Sequence, residues 1–231
     1  MGEPATGRRR WAAGRAIGLV GLLLAGACTY RSGAVLPEVP VEVQSSTVHA
    51  ADGTLIHTFH AEENRKVVPL EQIPRHVQDA VIAIEDERFY RHSGVDVRSI
   101  LRAMRSNAKA GEVAEGGSTI TQQYVKKVIL KDESQTFGRK IEEASLALQL
   151  EQRYSKDAVL ELYLNAIYFG AGAYGIEAAA QQYFGKPATE LTLAEGALLA
   201  GQIQRPSVTD PYKAPEAALA RRNVVLEAMR D

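Results

Sequence analysis

Pro74-Arg75-His76-Val77-Gln78-Asp79-Ala80-Val81-Ile82-Ala83-Ile84-Glu85 is the stretch on which the fold reading turns. Proline suits a first helical position, since its ring presets φ and no N–H bond is lost there. Val77, Ala80, Val81 and Ile84 then fall at i, i+3, i+4 and i+7, one apolar helix face. Glu85 follows directly. A carboxylate at a helix C-terminus meets the negative end of the backbone dipole, and partial burial strips its water. Both raise its pKa toward that of a useful proton acceptor. Asp86 and Glu87 add like-charge repulsion if they lie close in space. The plainer reading is three ordinary surface acids at a helix end, and the residues themselves leave both open. Phe89 and His92 are candidates to position this segment, although a lone histidine is more often structural.

The same period recurs downstream. A helix is expected from Asp96 to about Ala110, with Ile100, Leu101, Met104 and Ala108 as its core side. Arg98, Arg102, Arg105 and Lys109 form a basic stripe along it, either a plain solvated face or a surface for lipid headgroups or anionic glycan. Gly111 to Gly117 reads as a loop, after which Thr119 and Gln122 have the spacing of a capping box. Gly116 and Gly117 allow a tight turn, and the N–H groups that follow suit an anionic oxygen. The loop lacks the Gly-Lys-Ser/Thr ending of a nucleotide-binding loop. Lys126 shares a helix face with Gln122.

Further helices are expected over Gly138 to Arg153, with Ile141, Ala144 and Leu148 inward, and from a Ser155 cap to near Gly170. Another opens at the Thr192/Glu195 capping box and breaks before Pro206. Arg139 and Lys140 stand beside Glu143. An i,i+4 surface ion pair is the bland reading. Basic groups around one acid equally suit a diphosphate, directly or through a magnesium ion. No two-histidine metal box, zinc cysteine set or Gly-x-Ser-x-Gly elbow is present.

Composition sets the outer bounds. With 231 residues the chain has room for one sizeable core, and 27 Lys and Arg nearly balance 28 Asp and Glu. A single cysteine excludes an intrachain disulfide framework. Arg8-Arg9-Arg10 precedes an uncharged apolar run from Ala16 to Cys28, somewhat short of the roughly 20 residues that span a bilayer. It reads as a signal anchor, as a cleaved signal, or, through Ala25-Gly26-Ala27-Cys28, as a lipoprotein processing box. All three place the chain after about Tyr30 outside the cytoplasm. The expected organisation is a basic tail and membrane segment over 1–30, a linker over 31–40, and one mainly α domain over 41–231. That domain opens with a β-hairpin turning at Asp52-Gly53.

Five blocks taken in order resemble one family. They are Glu85 to Gly94, Gly116 to Lys127, Arg139 to Glu143, Glu161 to Asn165 with Tyr168-Phe169-Gly170, and Leu191 to Glu195 with Leu199-Ala200-Gly201 and Pro206. The chain from about residue 41 onward is similar to the peptidoglycan glycosyltransferase domain of class A penicillin-binding proteins and their single-domain relatives, glycosyltransferase family 51. The resemblance implies a lysozyme-like helical large lobe and a small membrane-proximal jaw lobe. It implies lipid II and a growing polyprenyl-diphosphate-linked glycan as substrates, joined by a β-1,4 bond with inversion. Glu85 is then the general base. Glu143 orients the donor diphosphate with any divalent cation, Mg2+ above all; the Arg-Lys-x-x-Glu spacing selects it over Glu142.

By the same likeness Arg139, Lys140 and Lys126 offset phosphate charge, and Ser118, Thr119 and Gln122 line the cleft. Asp86, Phe89, His92, Gly116, Gly117 and Asn165 are supporting residues. Lys127 departs from the family's usual asparagine. The implied location is the outer face of a bacterial cytoplasmic membrane, beside a cell-wall synthesis complex or transpeptidase partner, with no role for nucleic acid. The end of the chain without a transpeptidase Ser-x-x-Lys domain suits a single-domain enzyme or the front of a longer one, and the hairpin-like segment and linker before the first block favour the latter. A lysozyme-like hydrolase and a non-catalytic murein-binding scaffold are the competing readings.

Overall fold

The apolar period from Val77 to Ile84 produces helix α1 over Arg75–Glu85, with Pro74 as its N-cap in an extended conformation (φ −54°, ψ 139°) rather than its first residue. A computed structural model describes residues 34–40, 46–59, 64–110, 117–132, 134 and 136–230. The expected tail and membrane segment, the first linker residues, 41–45 and Gly116 lie outside the described residues. The fold is mainly helical and lysozyme-like, with a two-stranded hairpin of β1 (Ser46–His49) and β2 (Leu55–Phe59). Its turn is closed by a hydrogen bond from Gly53 N–H to Ala50 O at 2.9 Å, while the Asp52 carboxylate accepts the Thr54 N–H at 2.9 Å.

Helix α2 spans Val97–Ala110, α3 Ile120–Tyr124, α4 Phe137–Arg153 and α5 Lys156–Ala166. After two short strands come α6 (Ile176–Phe184), α7 (Leu193–Gln202) and α8 (Pro215–Ala228). The caps fall where the side-chain chemistry puts them. Thr119 and Thr192 both form complete capping boxes, with Gln122 and Glu195, and Ser155 accepts the Ala158 N–H. Helix α1 is sandwiched against α7 and α8. Gly196 permits the close crossing: a Cβ there would stand 2.8 Å from Val77 Cγ2. On the other side α3 lies between α4 and α5, where Ile120, Tyr124, Leu150, Leu160, Tyr163 and Leu164 are buried.

Several details depart from the periodicity. Helix α5 stops at Ala166, not near Gly170. Tyr168–Gly170 (β4) and Ala173–Tyr174 (β5) form instead a small sheet with Asn64–Arg65 (β3), in the order β3-β5-β4. Two- and three-residue strands carry too little alternation to register in sequence. Leu148 is 44% exposed; the buried face of α4 runs through Glu143, Leu146, Ala147 and Leu150, so an acid occupies a place that an apolar stripe search passes over. In α2, Leu101 and Met104 are exposed and Ala103 is buried, because no other element covers most of the stripe among the described residues. Helix α3 is only five residues long and widens into a π-helical segment over Val125–Leu130, which ends with Lys131 left-handed at φ 50°.

Residues 34–40 are docked on α4. Leu36 is buried, and the Gln149 side chain accepts its N–H at 3.1 Å while donating to Ala34 O at 3.0 Å.

The Glu161-Leu162-Tyr163-Leu164-Asn165 block holds the chain that leads into α1. Asn165 Oδ1 accepts the Val68 N–H at 2.9 Å, its Nδ2 donates to Val68 O at 2.9 Å, and Glu161 accepts the Leu70 N–H at 2.7 Å. Asn165→Leu would leave both Val68 backbone groups buried and unpaired. The expected loss is about 2–4 kcal/mol of unfolding free energy, read from denaturant titration.

Candidate active site

The two motif blocks meet at Asp86. Its side chain is 3% exposed and faces His92 Nε2 with both oxygens, at 3.0 and 2.9 Å, and one oxygen also accepts the Ile120 N–H at 3.1 Å. A carboxylate is acceptor-only, so the histidine proton sits on Nε2; Nδ1 is buried with no hydrogen-bond partner among the described residues. Thr119 Oγ1 donates to Gly94 O at 2.6 Å. Gly94 itself is left-handed (φ 77°) and a Cβ there would stand 2.7 Å from Ala147 O, so only glycine fits between the two blocks and α4. Phe89 is wholly buried beneath the Lys156 ammonium, 4.3 Å from the ring centroid. These residues fix the end of α1 against the start of α3.

A cavity of about 460 Å3 opens beside that joint, lined by Glu85, Ser118, Gln122, Gln123, Lys126, Lys127, Glu143 and Gln204 among others. Glu85 Oε2 accepts a hydrogen bond from Gln123 Nε2 at 2.7 Å. Burial pushes the Glu85 carboxyl above its ordinary value, opposed by the Gln123 hydrogen bond and by the charges of Arg221 and Lys127. Asp86 adds a small upward push. Glu87 is exposed and paired with Arg102 at 3.2 Å.

Glu143 has the opposite setting. It is 1% exposed, with Arg139 Nη1 on Oε2 at 2.5 Å and the Lys140 ammonium and Gln122 Nε2, the latter at 3.1 Å, on Oε1. Lys140 also donates to Ser118 Oγ at 2.8 Å. This is no exposed i,i+4 surface pair: Arg139 is itself 9% exposed. Two cations therefore face one acid, leaving a surplus positive charge at this end of the cavity, with Lys126 on its wall. The groups beside Glu143 do not by themselves make a divalent-cation site, since both its oxygens are engaged by cations or an amide. Among the described residues no group of three or more His, Cys, Asp or Glu side chains is placed to share one ion. A cation there would take its remaining ligands from the diphosphate and water.

The structure thus brings Glu85, Ser118, Gln122, Lys126 and Glu143 to one cavity, with Arg139 and Lys140 attached through Glu143. Gly117 and Thr119 line an adjoining cavity of about 410 Å3 that shares Glu85 and Ser118. Asn165 stands apart, serving the Val68 backbone. Gln123, Tyr163, Gln204 and Arg221 were not singled out by the motif chemistry. Arg221 on α8 donates to Gln204 Oε1 at 3.1 Å and lines the adjoining cavity. Its approach to Glu85 across more than a hundred residues leaves no local signal.

The transglycosylase family matches residues 52–230, most of the chain. The chain belongs to the transglycosylase family. Within it, penicillin-binding protein 1A of Mycolicibacterium smegmatis is 50% identical over 192 residues, covering 81% of this chain and 24% of that protein. Penicillin-binding protein 1A of Aquifex aeolicus is 48% identical over 186 residues, covering 80% of this chain and 25% of that protein. A crystal structure of penicillin-binding protein 1A from Haemophilus influenzae matches at 29% identity with a TM-score of 0.45, covering 82% of this chain and 18% of that one. The chain spans about a quarter of the length of these curated relatives.

The raised Glu85 value has a sign that can be checked. Folding favours the protonated form, so its contribution to stability is full below the ordinary value of 4.5 and is lost as pH rises through the raised one. Glu85→Gln carries no charge at any pH. It is expected to melt above wild type at pH 7–8, with the gap closing below pH 4.5 in scanning calorimetry.

Proposed function

We propose that this cleft polymerises lipid II into β-1,4-linked glycan, releasing polyprenyl diphosphate. The observation that carries the reading is a partly desolvated carboxylate, Glu85, sharing one cavity with a cation-rich cluster built on Glu143. A base poised by burial suits removal of a sugar hydroxyl proton; surplus positive charge suits a leaving group that departs as a dianionic or trianionic diphosphate.

Glu85 accepts the proton of the acceptor 4-hydroxyl as that oxygen attacks the donor anomeric carbon. The bond from that carbon to the diphosphate oxygen breaks, and its electron pair leaves with the diphosphate toward Lys140, Arg139 and Lys126. Attack opposite an α-linked leaving group gives the β product. Glu143 holds Arg139 and Lys140 in place, and Ser118 fixes the Lys140 ammonium. A cavity with a cation-rich end has more than hydrolysis of finished glycan needs, since that substrate brings no phosphate.

Because the substrate's tail stays in lipid, the cleft works at the outer surface of the cytoplasmic membrane. A transpeptidase, in the same polypeptide or a partner, then cross-links the strand. Helix α2 suits the membrane side: Val97, Leu101 and Met104 are exposed next to Arg98 and Arg105. Arg98→Glu with Arg105→Glu is expected to weaken binding to vesicles containing anionic lipid by at least about 30-fold, at roughly 1 kcal/mol per basic residue lost, as measured by flotation. Equal binding would remove α2 from the membrane face.

The deciding experiment supplies purified lipid II and, separately, mature peptidoglycan. Polymer from the first and no soluble fragments from the second are expected. Glu85→Gln should lose at least about 100-fold in rate while still binding lipid II. Glu143→Gln should also lose rate, because Arg139 and Lys140 lose the acid that orients them. Soluble sugar fragments from peptidoglycan, or full turnover by Glu85→Gln, would overturn the reading.

A further inference from the structure

The Gln123 amide has two ends of similar size and opposite hydrogen-bonding character, and either end fits beside Glu85. Its Nε2 donates to Glu85 Oε2 at 2.7 Å, and its Oε1 accepts from the Tyr163 hydroxyl at 3.0 Å. Tyr163 lies in the middle of α5, wholly buried, and Gln123 is the one hydrogen-bond partner of its hydroxyl among the described residues. Burial, and then the charges of Glu85 and Asp86, hold the phenol proton well above its ordinary value of 10, so the hydroxyl remains a donor at any working pH.

We propose that Tyr163 is a positioning residue for Glu85: its phenol proton pins the Gln123 amide so that a donor, not an acceptor, faces the carboxylate. The inference rests on Glu85 being the base, as in the function proposed above. Turning the amide over would point its NH2 at the hydroxyl. The hydroxyl oxygen can accept, but the phenol proton is then stranded in the core, which costs as much as any buried unsatisfied donor. The same turn would set Oε1 against Glu85 Oε2. That contact is repulsive for the carboxylate and favourable only for the protonated acid, which can donate to Oε1. The tyrosine thereby selects, through one amide, the hydrogen bond that serves the ionised base.

Removing the hydroxyl makes the two amide orientations equal on the Tyr163 side. The protonated acid gains a partner that it lacks in the wild type, and its titration moves to higher pH. The other groups around Glu85 stay in place: Asp86 beside it, Lys127 from the π segment, Arg221 from α8. Lys126 and Glu143 on the shared cavity, and Arg102 on the adjoining one, are likewise unaltered. A purely structural role for the tyrosine would change stability and leave this titration where it was.

The test is a carbon-13 NMR titration of the full chain labelled at glutamate carboxyls, with the Glu85 signal assigned by its disappearance in Glu85→Gln. Tyr163→Phe keeps the ring in the core, and its midpoint is expected to rise by about one pH unit, the size of one hydrogen bond to a charged group. Gln123→Met should raise it similarly, and the double variant should move no further than Gln123→Met alone. The acid limb of the polymerisation rate should shift in step for Tyr163→Phe. An unmoved midpoint in either single variant, or shifts that add in the double, would overturn the proposal. Because the titration needs no substrate, it decides the relay even if wild-type chain makes no polymer, an outcome that would defeat the function and not the relay.

Discussion

Everything at the site hangs from the hydrogen bond between the Asp86 carboxylate and the backbone N–H of Ile120. That N–H is among those a helix start leaves without an intrahelical partner, and the buried acid that takes it is one residue beyond Glu85. One interaction thus joins the end of α1 to the start of α3, bringing Glu85 beside Gln123. His92 occupies the rest of the Asp86 carboxylate, and Thr119 spans from its own cap to Gly94. The density of polar residues in these two blocks is largely this joint. Catalytic chemistry needs only a few of them; the remainder satisfy buried groups that would otherwise oppose folding.

The two acids at the ends of the cavity differ in what touches them. Glu143 is held by two cations and an amide, an arrangement that uses the acid to aim positive side chains. Glu85 is touched by a neutral amide, with Arg221 and Lys127 acting at longer range. A direct ion pair would oppose the effect of burial and leave a weaker base. The neutral partner supplies direction, and although its hydrogen bond also draws the Glu85 value down, burial still holds that value above the ordinary one. Lys127 belongs in this balance: where an asparagine would present a dipole, a lysine adds a full charge that pulls the Glu85 value down.

Helix starts were legible in the sequence because capping is local: Thr119 with Gln122, Ser155, and Thr192 with Glu195 each mark a boundary within four residues. The hairpin at Asp52-Gly53 was legible for the same reason. The site residues were found by motif order and resemblance, which named Glu85, Glu143 and their basic neighbours. What periodicity could not show was burial imposed from elsewhere. Leu148 and Met104 sit on good apolar stripes and stay exposed, whereas Glu143 takes a core position because Arg139 and Lys140 neutralise it and Gln122 donates a hydrogen bond to it. The β3-β5-β4 sheet escaped because its strands are shorter than any alternation that could announce them.

Tyr163 illustrates the deeper limit on such reading. Its place on an apolar helical stripe marks it as core, and core it is. Its neighbours two residues away on either side, Glu161 and Asn165, turn toward the backbone of residues 68 to 70, while its own hydroxyl reaches Gln123. One turn and a half of α5 therefore secures both the approach to α1 and the amide at α1's far end. Glu85 is held from two directions by the same short block: through the chain that leads into its helix, and through the side chain that faces its carboxylate. A shift of α5 would move both supports together, so the geometry of the base is coupled to the packing of a helix that contributes no side chain to the cavity wall.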